Sequence, residues 1–185
     1  MEDNSMELLK YPIGKPKDQP FSDLEKPTEN AKAYYLGDIE MLPSLLEQAV
    51  QNLDEHQLQT TYRPDGWTIH QVIHHVADSH MNAFMRFKLG LTEDNPTIKP
   101  YEEKEWAKLS DTTNLPINIS LTLIHALHKR LYELLKNFEE ADWERTVYHP
   151  AQNKSITLWQ LLQTYSWHGK HHTAHITKLK ERMGR

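Results

Sequence analysis

Where the prolines fall limits this chain more than any other feature. A helix interior excludes proline, which lacks an N–H and clashes with the preceding turn. The ten prolines stand at 12, 16, 20, 27, 43, 64, 96, 100, 116 and 150 of 185 residues. Clean stretches remain at 44–63, 65–95, 117–149 and 151–185, each long enough for several helical turns. Four prolines crowd the first 27 residues, so residues 1–28 read as an extended arm. The spacing predicts an all-α fold, a four-helix bundle. Its length suits one domain over 1–185.

Apolar periodicity fills the stretches in. Leu42, Leu45, Leu46, Ala49 and Val50 recur at helical spacing within a first helix from about Asn30 to Asn52, which Pro43 kinks or splits. Pro64-Asp65-Gly66 is a turn signal, and Trp67-Thr68 opens a second helix reaching Leu91. A third runs from about Ile119 to Phe138 with Leu123, Leu127, Leu131, Leu134 and Leu135 on one side. A fourth runs from about Thr157 to Met183, closed by Gly184, with Lys178, Lys180 and Arg182 suiting the C-terminal dipole. Residues 92–116 make a connection too long for bundle neighbours, which predicts a crossover and parallel second and third helices. Thr146-Val147-Tyr148 and Ser155-Ile156-Thr157 suggest a short hairpin.

Composition removes several function classes. Lys plus Arg is 21 against 26 Asp plus Glu, net −5, so no basic surplus exists for phosphate contacts and nucleic acid is not an expected partner. Mean hydropathy is −0.74 and no apolar run approaches a membrane helix. The N-terminus, Met-Glu-Asp-Asn-Ser, lacks the pattern of a secretion signal, so the expected location is the cytosol. Without cysteine there is no disulfide scaffold, thiolate zinc site or thiol nucleophile. The six glycines form no phosphate loop.

Twelve histidines point the other way. On a wheel at about 100° per residue with His168 at zero, His172 falls near 40°, His175 near −20° and His171 near −60°. Leu161 and Leu179, both near 20° on the same wheel, mark that stripe as core-facing. An i, i+4 pair of imidazoles suits one metal ion. In the second helix, His75 heads a polar stripe with Ser79, Asn82 and Arg86, flanked by Asp78 and Gln71. A polar strip beside an apolar one is costly to bury unless it is paired or ligates something. His74 competes with His75 on pattern alone. His56, His125 and His128 read as packing or exposed residues. Trp67, Trp143, Trp159 and Trp167 read as packing, and Glu139-Glu140-Ala141-Asp142 as a solvated turn. Tyr101 and Trp106 in the crossover read as a lid, and Tyr148 and His149 as pocket rim.

Taken in order, these segments resemble a known family. Tyr62-Arg63-Pro64-Asp65-Gly66-Trp67-Thr68, His74-His75-Val76-Ala77-Asp78-Ser79-His80-Met81-Asn82 and Arg86-Phe87-Lys88-Leu89 resemble the YfiT-like group of the DinB superfamily. Tyr11-Pro12-Ile13-Gly14, Lys99-Pro100-Tyr101, Tyr148-His149-Pro150, Trp167-His168 and Ala174-His175-Ile176-Thr177 continue the likeness over nearly the whole chain. The resemblance implies a four-helix bundle of unusual connectivity, a homodimer, and a divalent metal on three histidines. By that likeness His75, preceding Val76-Ala77-Asp78, is the first ligand, and His168 and His172 are the others. The chain departs from the family pattern at Gly169-Lys170-His171, where Lys170 adds charge near the rim.

Three imidazoles leave a coordination position open, the layout of a catalytic site. The expected cofactor is one divalent ion per chain, zinc first, with nickel, iron or manganese also suited to imidazole. The expected activity is metal-dependent hydrolysis of a small molecule. Asp78, His171 and His175 are candidates to orient a ligand or move a proton, and Asn82 and Arg86 to bind an anionic or carbonyl group, with an Asp78–Arg86 ion pair as the alternative. A second expectation, carried by likeness to bacillithiol S-transferases and mycothiol-dependent isomerases, is transfer of a low-molecular-weight thiol. A third is a non-catalytic metal-binding stress protein.

Overall fold

The computed structural model describes residues 2–184, with side chains from residue 6 onward. The first helix, α1 (Glu2–Lys10), corrects the extended arm: its nine residues all precede the first proline, Pro12, and they coil. A 3₁₀ turn at Pro16–Asp18 follows. The rest of the arm packs through its backbone. The Pro20 carbonyl accepts from the Tyr35 hydroxyl (2.7 Å), the Leu24 carbonyl from the Trp159 indole (2.9 Å) and the Gly14 carbonyl from the Trp167 indole (3.0 Å).

Four long helices build the bundle. These are α2 (Glu29–Val50), α4 (Ile69–Thr92), α7 (Ile117–Leu135) and α9 (Leu158–Arg182). Short helices α3 (Glu55–Leu58), α5 (Glu103–Trp106), α6 (Ser110–Asn114) and α8 (Glu140–Glu144) lie in the connections. Threonine caps start three of the four. Thr28, Thr68 and Thr157 each accept from the backbone N–H three residues on, and the latter two complete capping boxes with Gln71 and Gln160. Pro43 lies inside α2, which continues unbroken through it. Strands β1 (Thr146–His149) and β2 (Lys154–Thr157) form the expected antiparallel hairpin. Asn153 turns it in the left-handed region (φ 49°).

Side-chain pairs give the helix directions. His74 meets Ser120, His80 meets His128, and Arg130 lies over Phe84, so α4 and α7 run parallel. Tyr35 meets Trp159, Leu42 meets Gly169 and Ala49 meets Lys180, so α2 and α9 also run parallel. His75 beside His168 and Gly90 beside Leu158 make α4 and α9 antiparallel. Residues 93–116 must therefore carry the chain back along the bundle before α7 starts. The crossover adds a strand-like contact to the hairpin, with Ile98 N–H donating to Tyr148 and Tyr148 N–H to Pro96.

Two apolar clusters fill the interior. One, toward the hairpin, holds Tyr35, Ile39, Ala83, Phe87, Leu131, Trp143 and Trp159. The other holds Leu42, Leu46, Val72, Ile73, Val76, Ile124 and Ile176. On three of the four long helices buried polar residues lie between the two clusters: Ser79 and His80 on α4, His128 on α7, and His171, His172 and His175, with partly buried His168, on α9. The bundle thus has an imidazole layer at its waist. Leu45 and Leu123, expected inside, are 38 % exposed each, because Leu46 and Ile124 take the inward positions one residue later. No helix among the described residues is long and apolar enough to cross a membrane.

Candidate metal centre

The waist is polar because α4 and α9 each deliver imidazoles to the seam between them. His75, His168 and His172 each place one ring nitrogen so that the three lie within 4.8 Å of one another, the only such group among the described residues. His75 and His172 are buried, and His168 is partly exposed. The Nε2 atoms of His75 and His168 are 3.2 Å apart. Two nitrogens bonded at about 2.0–2.1 Å to one tetrahedral ion stand about 3.3 Å apart, so this edge fits a shared cation. The indole of Trp67 walls the group, with ring centroids 4.4 Å from His75 and 6.4 Å from His172.

Burial sets the protonation of these rings. Desolvation is the largest influence on each. It lowers His75 to about 4 and holds His168 and His172 well below the usual imidazole value, their neighbours adding to the effect. All three are neutral at pH 7, the form that ligates. The Nδ1 atoms of His171, His172 and His175 are buried without a hydrogen-bond partner. An orphaned buried nitrogen costs about 1–3 kcal/mol, so these three leave the seam beside the group incompletely satisfied. Neutral donors and close nitrogens together fit a divalent ion.

The structure separates His74 from His75. The His74 ring points at α7, Nδ1 lying 2.8 Å from Ser120 Oγ and Nε2 3.2 Å from the Leu115 carbonyl. His70 reaches the same carbonyl at 3.0 Å. These two histidines pin the end of the crossover to α4.

The remaining candidates divide. Asp78 and Arg86 do not pair. Arg86 donates to the Tyr165 hydroxyl (2.7 Å) and the Lys99 carbonyl (3.3 Å). Asp78 stays half-buried, and desolvation with the nearby Asp111 charge pushes its carboxyl up to about 6. Asn82 donates to the Asp78 carbonyl at 2.9 Å. His175 lies 3.2 Å from the Lys10 carbonyl and stacks on Tyr62 at 3.9 Å. His171 stacks on Trp167 at 4.3 Å and touches His175 at 4.2 Å. Lys170 turns away from the seam to an ion pair with Asp38 (2.7 Å) and the Tyr34 hydroxyl (2.8 Å). Tyr101 lies against Trp106 at 4.5 Å and buries its hydroxyl. A cavity of about 330 Å³ lies beyond Tyr165, lined by Lys17, Arg86, His149 and Lys154 and by no carboxylate.

His80 and His128 were not expected here. His80 Nε2 lies 3.3 Å from His168 Nδ1, His80 Nδ1 lies 3.0 Å from His128 Nε2, and His128 Nδ1 lies 2.6 Å from the Ile39 carbonyl. Both rings are fully buried. In the sequence each is a lone histidine on a helix face. The one available signal was that His80 is a histidine flanked by the apolar positions Val76, Ala83 and Phe87.

Comparisons with known proteins agree with this architecture. The family model described as the DinB superfamily matches residues 38–176. A Bacillus mycoides protein named "Putative metal-dependent hydrolase" is 48 % identical over 178 residues, covering 96 % of this chain and 99 % of that one. A protein of the same name from Oceanobacillus iheyensis is 52 % identical over 173 residues, 94 % of this chain and 96 % of that one. The solved structure of YfiT from Bacillus subtilis, described as a probable metal-dependent hydrolase with an unusual four-helix bundle topology, superposes with a TM-score of 0.89 at 44 % identity. It covers 96 % of this chain and 98 % of that one. With family model, relatives and topology in agreement, the chain belongs to the DinB superfamily.

Proposed function

We propose that this protein is a metal-dependent hydrolase of a small molecule, with a divalent ion held by His75, His168 and His172. The observation that carries the reading is the three-imidazole group itself. No fourth His, Asp or Glu joins it among the described residues, so the ligand set leaves room for water or substrate. A divalent ion on such ligands lowers the pKa of bound water toward about 7 and polarises a carbonyl or phosphoryl oxygen.

The chain's own residues do the rest. Asp78 titrates near neutrality, within the range that lets one carboxyl take and return a proton. Arg86, held by Tyr165 and Lys99, faces the basic cavity and takes an anionic or carbonyl group of the substrate. Asn82 fixes the helix turn that carries Asp78. His171 and His175, with ring centroids 5.2 and 5.4 Å from His172, brace that ring.

The test is metal analysis of untagged protein, followed by a series of small esters, amides and phosphoesters assayed with and without zinc. Zinc-dependent hydrolysis that disappears in His172→Ala supports the reading. A full series without zinc-dependent turnover overturns it. Conjugation of a low-molecular-weight thiol to a haloarene in the same preparations would assign the site to thiol transfer instead.

A further inference from the structure

A chain of buried hydrogen bonds starts at a carbonyl and ends at the ion site, crossing all four long helices. Its polarity follows from its terminus. The Ile39 carbonyl on α2 can only accept, so the proton at the 2.6 Å contact belongs to His128 Nδ1 on α7. A neutral imidazole has one N–H. His128 Nε2 is therefore a bare acceptor, and the 3.0 Å contact must take its proton from His80 Nδ1 on α4. The same step makes His80 Nε2 the acceptor of His168 Nδ1–H on α9, at 3.3 Å. His168 Nε2 is left with a bare lone pair, and that atom faces His75 Nε2. Along this chain the three rings have as hydrogen-bond partners only one another, a carbonyl and His75, with no carboxylate to hold a second proton, so each carries one.

We infer that His80 and His128 are positioning residues that, anchored on the Ile39 carbonyl, lock His168 in the Nδ1–H form and aim its Nε2 lone pair at the ion. This rests on the reading of the three-histidine group as an ion site. The Nε2–H form of His168 would put a proton where the ion binds and set its Nδ1 lone pair against that of His80. The lock also holds the ring's rotation, so no reorganisation is needed when the ion arrives.

The first test needs no variant. Long-range ¹H–¹⁵N correlation spectra of the metal-free full chain should show His80, His128 and His168 all protonated on Nδ1. Any of the three protonated on Nε2 overturns the inference. The second test is zinc affinity by chelator competition. His128→Leu should bind about 10- to 100-fold more weakly. His128→Gln should stay within about threefold, since its amide oxygen can accept from His80 while its N–H donates to Ile39. A Leu variant as tight as wild type, or a Gln variant as weak as Leu, overturns the inference. Metal-free melts of each variant separate folding loss from affinity loss, and the wild-type spectra stand if the Leu variant does not fold. A wild type that binds no zinc yet shows the three Nδ1 protons overturns the ion site and leaves the lock standing.

Discussion

Lowering the pH should unfold the metal-free protein well above the usual acid range. His75, His128, His171 and His175 are each less than 9 % exposed, and burial lowers them to about 4, 4, 3 and 4. In the unfolded chain they titrate near 6.5. Above that value both states are neutral and their contribution is complete. As pH falls below about 6.5 the unfolded chain takes up protons that the folded chain refuses, and stability drops by about 1.4 kcal/mol per residue per pH unit. At pH 5 each ring has cost about 2 kcal/mol, or about 8 kcal/mol for the four. Asp78 works in the opposite sense. Its raised carboxyl takes a proton in the folded state first, and being half-buried it returns at most about 1 kcal/mol. The net loss is comparable with the whole stability of an ordinary domain, about 5–15 kcal/mol. Urea titrations followed by far-UV circular dichroism, with excess chelator at pH 7.5, 6 and 5, measure it directly. The unfolding free energy should fall by more than half between the first and last. A value constant across that range would mean that the rings titrate normally, and would refute the picture of a neutral imidazole waist.

Zinc at about 1,000 times its Kd should add about 4 kcal/mol, raising Tm by about 8–16 °C for a chain this size, and His172→Ala should abolish that shift in a calorimetric scan. His74→Ala should retain wild-type zinc stoichiometry by elemental analysis, since its ring serves Ser120 and Leu115, while costing about 1–3 kcal/mol through the groups it leaves unpaired. A Cβ at Gly169 would meet Leu42 Cδ2 at 2.6 Å and Cδ1 at 2.9 Å. Gly169→Ala should therefore lose about 1–3 kcal/mol to overpacking against about 1 kcal/mol gained in helix propensity. A double-mutant cycle with Leu42→Ala should show coupling above about 0.5 kcal/mol. In Asp78→Asn, any limb of the turnover profile centred near pH 6 should vanish.

Much of this was legible from spacing alone. The long helices follow from proline placement, apolar period and threonine caps, all local signals. The parallel α4 and α7 pair followed from one connection length. Misplacements came where sequence period and bundle geometry compete. Leu45 and Leu123 belong to apolar stripes, yet the inward arc is narrower than the stripe and admits Leu46 and Ile124. Residues 2–10 hold no proline and form a helix, so the extended segment begins only at the proline cluster after them. At the centre, the wheel brought out His168 and His172 because they repeat one turn apart on the core-facing side of α9, whereas His75 stood out from His74 only through the family resemblance. The His80–His128 chain stayed hidden because its members come from three helices and are related only by contact. Nothing within one helix marks them as partners.

The parallel pairing of α2 with α9 and of α4 with α7 also governs when the site can exist during folding. His168 and His172 are one turn apart and meet as soon as α9 coils, but His75 lies 93 residues upstream of His168. Closing a loop of that length costs about 4 kcal/mol of chain entropy, and the crossover must be threaded back along the bundle first. A nascent α9 therefore offers a passing ion two ligands and no lock, while the assembled bundle offers three. An ion at this site would therefore load late, once the bundle has closed, and would tie α4 to α9 across a separation of 93 residues.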